Sequence, residues 1–134
     1  MALPAHRLQL NVLTARLAVC RLDGAATIPT WADGPGFVSI TRTGEELSVV
    51  CPEDRVPSDV RSERGYAAIG VEGPLAPDLV GVLVSLAMPL AEAGIPIFVV
   101  GTFDTDYLLV RDASLERAAT VLRAAGHHFI MNPA

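Results

Sequence analysis

The chain contains no lysine; all ten of its cations are arginine. That absence removes the phosphate-gripping lysine of nucleotide loops, Schiff-base chemistry and a lysine general base together. Cysteine is nearly absent too. Cys20 and Cys51 form no CxxC, and with three scattered histidines they make no zinc spacing. They read as two small buried hydrophobes in a reducing compartment, with a disulfide left open. There is no excess of positive charge: the net charge is -5, which argues against a sequence-independent grip on nucleic acid. GxSxG, HExxH, GxGxxG and phosphate-loop motifs are missing, and no nucleophile has a neighbouring base, which weighs against catalysis. An uninterrupted membrane-length run is also missing. Leu79 to Val100 is apolar except for Ser85 and Glu92, but Pro89, Gly94 and Pro96 punctuate it, so it reads as helix, turn and buried strand. The first ten residues carry His6 and Arg7 and no long apolar stretch, so no signal peptide is expected and the cytoplasm is the default compartment.

What is present fits a globular protein of 134 residues, 51% hydrophobic and 19% charged, large enough to bury its own core. The second half is the clearer one. Tyr66 to Glu72 reads as a strand ending in Gly73-Pro74. Pro77-Asp78 opens a helix that runs to about Ala93. Apolar residues cover most of that helix's circumference, which asks for a second partner layer, another subunit among the candidates. Pro89 removes a bond to the Ser85 carbonyl and should kink it. Ile95 to Thr102 is a strand, Phe103 to Thr105 a turn, and Asp106 to Arg111 the returning hairpin strand. Ser114 can cap a second helix, with Leu115, Ala118, Ala119 and Leu122 on one face and Gly126 at its end. His127 to Met131 is a last short strand.

This β-α-β-β-α-β order is the ferredoxin-like split βαβ arrangement, two helices on one face of a four-stranded antiparallel sheet. The first half has strands and little helix. Leu8 to Leu13 and Arg16 to Leu22 alternate weakly, and Phe37 to Arg42 pairs with Leu47 to Cys51 about Thr43-Gly44-Glu45-Glu46. Ala25 to Pro35 is a Gly, Pro and Thr loop around Trp31. Pro52 to Arg64 leaves one short helix or none open. The expectation is an α+β protein of two parts, a degenerate strand-rich module over residues 1–64 and a complete one over 65–134, packed as one unit.

Few clusters could carry chemistry. Asp104-Thr105-Asp106 could share a metal, perform acid-base work, pair with a ligand's cation, or simply satisfy a turn. Gly73-Pro74-Leu75 and Gly81 bring backbone close to a ligand or to a packed strand. His127 and His128 point to opposite faces of a strand and read as surface polarity. Trp31 is a core plug or a stacking wall.

Certain blocks resemble a known family. Trp31-Ala32, Phe37 to Thr43, Glu46 to Pro52, Val71 to Leu75, Pro89 to Ile95 and Thr102 to Val110 together resemble small bacterial ACT-domain proteins, over nearly the whole chain after about residue 8. The resemblance implies two fused ACT modules, the first lacking its first helix, of the type found in CASTOR arginine sensors and aspartokinase regulatory tails. It implies a cytoplasmic, non-catalytic regulatory protein with no cofactor and no metal, binding an amino acid at an interface between modules. By that resemblance Gly81, Thr102, Phe103 and Asp106 contact the ligand, with Pro96 and Ile97 from the facing module. Arginine or another amino acid is the implied ligand, and two modules per chain imply a homodimer. Nucleic acid and membrane are not implied partners. Two other readings stand beside this one: a dimerisation module that has lost its ligand, its pocket filled by side chains such as Phe103, and an enzyme using Asp104 and Asp106.

Overall fold

The computed structural model describes residues 6–76 and 78–130. In chain order its strands are β1 (Gln9–Val12), β2 (Leu17–Asp23), β3 (Ser39–Arg42), β4 (Glu46–Pro52), β5 (Ser62–Val71), β6 (Phe98–Gly101), β7 (Asp106–Arg111) and β8 (His128–Phe129). Two α-helices, α1 (Val82–Glu92) and α2 (Leu115–Ala124), follow β5 and β7. The chain divides into two compact units, and the division is not sequential. The described residues up to Leu13 join those from Ala67 onward, a split unit, while Thr14–Tyr66 form an inserted unit. A cut between residues 64 and 65 therefore misplaces the first strand, and β5 contributes its first half to one unit and its second half to the other.

In the split unit, the order from β5 onward is β-α-β-β-α-β, as the sequence predicts. The sheet itself differs from the expected four antiparallel strands. Its order is β8-β1-β5-β7-β6, because β1 lies between β5 and β8. Leu10 faces Val71 in an antiparallel pairing, and Gln9 faces His128 in a parallel one. Alternation explains why β1 belongs there: Leu8 and Leu10 turn into the core, while Gln9 stays exposed. The core joins Leu10, Ile69, Val71, Leu108 and Val110 of the strands to Val82, Leu86, Leu90, Ala118 and Leu122 of the helices. On β5, Gly70 marks a close approach. A Cβ there would lie 2.9 Å from both Asn11 Oδ1 and the Tyr107 ring.

Both helices stop the same way. Gly94 (φ +72°) and Gly126 (φ +101°) turn left-handed, and the next N–H groups, of Ile95 and His127, reach back to the carbonyls of Leu90 and Leu122. At the start, α1 departs from expectation. Pro77 lies outside the described residues, but Asp78 is not helical, and the helix begins only at Val82. Gly81 sits at its N-cap with φ +83° rather than inside it, so it is a left-handed hinge and not a notch on the helix surface. For α2, Ser114 is the capping position but makes no side-chain cap; a 3-10 turn over Asp112–Ser114 leads in instead. The last strand covers two residues, and Met131 lies outside the described residues.

The inserted unit has strand order β3-β4-β2-β5, with β2 antiparallel to both neighbours. Among its described residues there is no α-helix, only 3-10 turns at Thr30–Ala32 and Glu53–Arg55. Ala18, Cys20, Leu47, Val49 and Cys51 point inward, and Trp31, Ala32, Val38, Val56 and Val60 pack on them. Trp31 is thus a plug in the small core.

Candidate functional site

All six candidate ligand residues lie in loops or at element ends of the split unit, and short backbone ties hold the turn that carries three of them. Thr102 and Thr105 close the β6–β7 hairpin: the Thr102 N–H donates to the Thr105 carbonyl at 2.8 Å, and the Thr105 N–H donates to Thr102 Oγ1 at 3.1 Å. The Asp104-Thr105 step is therefore partly turn chemistry. That turn is bound in its place beside the β5–α1 loop. Thr105 Oγ1 donates to the Val71 carbonyl at 2.7 Å, and the Leu75 N–H donates to the Asp104 carbonyl at 2.8 Å. A Cβ at Gly73 would stand 3.1 Å from the same carbonyl. The far side of the loop is tied as well, since His6 Nε2 donates to the Val80 carbonyl at 2.6 Å.

This arrangement brings Thr102, Phe103 and Asp106 to the end of the sheet where β5 leaves for α1. Asp106 begins β7 opposite Gly101 and is half-buried. Phe103 is 94% exposed at the tip of the turn, so it does not fill a pocket of its own chain. Gly81 closes the loop on the helix side, where the first N–H groups of α1 stand free of intrahelical partners. Pro96 and Ile97 do not join them. They precede β6, whereas Thr102 follows it, and an extended strand of that length separates them by roughly 15–20 Å.

The outer face of α1 adjoins this loop. Val82, Leu86 and Leu90 face the core, but Leu79, Val80, Leu83, Val84 and Met88 are exposed, Val80 by 60% and Met88 by 52%. A helix covered on one side only, with apolar residues on the other, is the surplus that the sequence predicts.

Residues that sequence reasoning misjudged lie away from this loop. His127 is 5% exposed, not a surface residue. Its Nδ1 accepts the Leu8 N–H at 3.1 Å, and its Nε2 donates to the Ser85 carbonyl at 2.9 Å. The carbonyl is the one that Pro89 leaves without a helical partner, so Pro89 was the signal that a donor had to arrive from elsewhere. His128 on the strand is exposed. In the inserted unit, Arg55 Nη1 is buried with no hydrogen-bond partner, its guanidinium covered by the Gly34–Gly36 turn. Burial pushes the Cys20 thiol up to about 11, with the nearby Cys51 adding to it, and burial raises Cys51 as well. Both cysteines are free. Among the described residues no group of three or more His, Cys, Asp or Glu could hold a metal, and no helix is long and apolar enough to cross a membrane.

Comparison with known proteins accords with this geometry. An ACT-domain model matches residues 61–124, and a model described as an N-terminal domain matches residues 16–59. No curated protein matches the sequence. The crystal structure of protein Atu0741 from Agobacterium tumefaciens is 47% identical, with a TM-score of 0.91 and 97% of each chain covered. A Vibrio cholerae protein of unknown function, VC0802, is 19% identical, with a TM-score of 0.74, covering 89% of this chain and 90% of that one. Aspartate kinase from Clostridium acetobutylicum shares the fold at 10% identity and a TM-score of 0.68, over 93% of this chain and 36% of the kinase. The ACT domain is a non-catalytic architecture of the regulatory kind. The chain is an ACT-domain-containing protein of the same family as Atu0741, distantly related in fold to aspartokinase regulatory domains.

Proposed function

We propose that this protein is a cytoplasmic amino-acid-binding regulator that works as a homodimer, with the ligand held between ACT modules. In this reading Gly81, Thr102, Phe103 and Asp106 of one copy face Pro96 and Ile97 of a second copy. The observation that carries it is the pairing of an exposed Phe103 with the exposed apolar face of α1 on one unit. Contiguous exposed apolar surface of this kind marks a place where another molecule docks. The separation of Pro96 and Ile97 from Thr102 accords with a site completed by another molecule. Asp106 supplies a negative partner for an ammonium or guanidinium group, and the free N–H groups of α1 supply donors for a carboxylate.

The inserted unit serves as the second, degenerate ACT module. Its strand order, β3-β4-β2-β5, is the order of a ferredoxin-like sheet whose helices have been replaced by the Trp31 loop and the turn at Glu53–Arg55. Arginine is the first ligand to test because a guanidinium suits Asp106.

A thermal-shift screen of the twenty amino acids at millimolar concentration, with molecular size measured in parallel, tests the proposal. A ligand at 100 times its dissociation constant adds about 2.7 kcal/mol, which moves Tm by several degrees. One selective hit that Asp106→Ala abolishes without unfolding supports the reading. A flat panel on a dimer supports a ligand-free interaction module instead.

A further inference from the structure

A second surface of the split unit, on α2 rather than α1, has the chemistry of a binding site. An open groove of about 580 Å³ runs beside that helix, and Glu116, Ala119 and Arg123 line it along its length. Their spacing of i, i+3 and i+7 puts all three on one face of the helix. Val12 from the end of β1 and Phe129 from β8 also line the groove, with Leu115 at the first turn of α2.

The two charges stand about two helical turns apart. Seven residues of helix separate their backbones by about 10 Å, beyond the i, i+4 reach at which helix ion pairs form. Each is stable where it stands. Glu116 lies in the first turn, at the positive end of the helix dipole, and Arg123 in the last turn, at the negative end. The Arg123 guanidinium is held over the Phe129 ring, 5.0 Å from its centroid. Between them Ala119 is small and buried, so the middle of the groove is an apolar trough. Asp112 lines the end near Glu116 and adds negative charge there.

We infer that this groove binds an elongated zwitterion, a molecule with a cation at one end, a carboxylate at the other and several methylenes between. The cation lies against Glu116 and the carboxylate against Arg123, with the methylenes over Ala119 between Val12 and Phe129. ω-Amino acids and the long basic amino acids belong to this class. A short amino acid such as glycine, whose charges are adjacent, cannot span the trough. The site lies within one chain and does not depend on the interface reading of Asp106.

The probe is 6-aminohexanoate, titrated into the full chain and followed by amide chemical shifts and calorimetry. Hexanoate, hexylamine and glycine serve as controls. The expected result is saturable binding with shifts confined to α2, β8 and the end of β1, at least about tenfold tighter than any control. Glu116→Gln and Arg123→Met should each weaken binding about tenfold or more while the protein stays folded, with Tm lowered only by the few degrees that their helix-end and ring contacts supply, whereas Asp106→Ala should leave binding intact. Absence of saturation, equal binding of hexanoate or hexylamine, or affinity that survives both α2 variants overturns the inference. Loss of 6-aminohexanoate binding in Asp106→Ala alone overturns it as well, by assigning the ligand to the other surface.

Discussion

The two units solve the same problem with different material. The split unit covers one face of its sheet with two helices, and the residues that meet there are large: Leu10, Ile69, Leu86, Leu90, Leu108 and Leu122. The inserted unit has a ferredoxin-like strand order but no α-helix among its described residues, and its inward residues are smaller, with Ala18, Cys20, Val49 and Cys51 under the Trp31 loop. A sheet needs an apolar cover, but the cover need not be helical. When inward side chains shrink, one indole and a few aliphatics bridge a gap that elsewhere takes two amphipathic helices.

That contrast supplies two independent probes. Far-ultraviolet circular dichroism at the helical band reports the split unit, and Trp31 fluorescence reports the inserted one. The largest expected effect is Leu10→Asp, which buries an unpaired carboxylate in the split unit and should cost more than about 4 kcal/mol. Urea melts should show the helical transition collapse while the Trp31 transition moves less; coincident shifts would mean that the units unfold as one block. Trp31→Ala should cost about 3 kcal/mol in the inserted unit alone. Its readout is the urea midpoint for thiol titration of Cys20 and Cys51, with the helical midpoint unchanged.

His127→Leu should cost the split unit about 2 kcal/mol, because it leaves the Leu8 N–H and the Ser85 carbonyl without partners. In a Pro89→Ala background the new N–H can reach Ser85, so the same change should cost about 1 kcal/mol less; strict additivity would dismiss the link between proline and histidine. The smallest effect is one of pH. The folded Cys20 thiol titrates near 11 and an unfolded one near 9.0, so stability is complete below pH 9 and falls as pH rises towards 11. By pH 10 Cys20 should account for about 1.4 kcal/mol of the inserted unit's lost stability, a share that Cys20→Ala removes while that of the likewise raised Cys51 stays. An undiminished loss in that variant would put the alkaline transition elsewhere.

Local signals were legible where local chemistry decides the structure. β7 runs from Asp106 to Arg111 as the expected return of the hairpin, α2 follows the spacing of Leu115, Ala118, Ala119 and Leu122, and the hairpin turns at Thr43-Gly44. Partner choice was not legible. Gln9 to Val12 reads as a strand, but nothing within those four residues tells that it will lie between β5 and β8. The start of α1 was misjudged because Pro77-Asp78 is good helix-opening chemistry, and only the left-handed backbone at Gly81 shows where the chain turns. His127 was misjudged for a similar reason. Alternation sets the direction of a side chain, but its burial depends on Leu8 and Ser85, residues far off in the chain. For the candidate site, the turn and its threonines could be read from spacing, whereas the α2 groove could not, since Val12 and Phe129 reach it only through the fold.

The insertion of one unit into the chain of the other has a consequence for synthesis. A ribosome makes β1 before the inserted unit and β8 well after it, yet Gln9 pairs with His128. The inserted unit has all of its strands on hand once Tyr66 has emerged, so it can fold while translation continues. The first strand of the split unit has no partner until the second half of β5 emerges, and its other edge waits longer, for β8. Its folding is therefore paced by the loop closures that bring β5 and then β8 back to β1, and the early strand is exposed to mispairing with other chains during that interval.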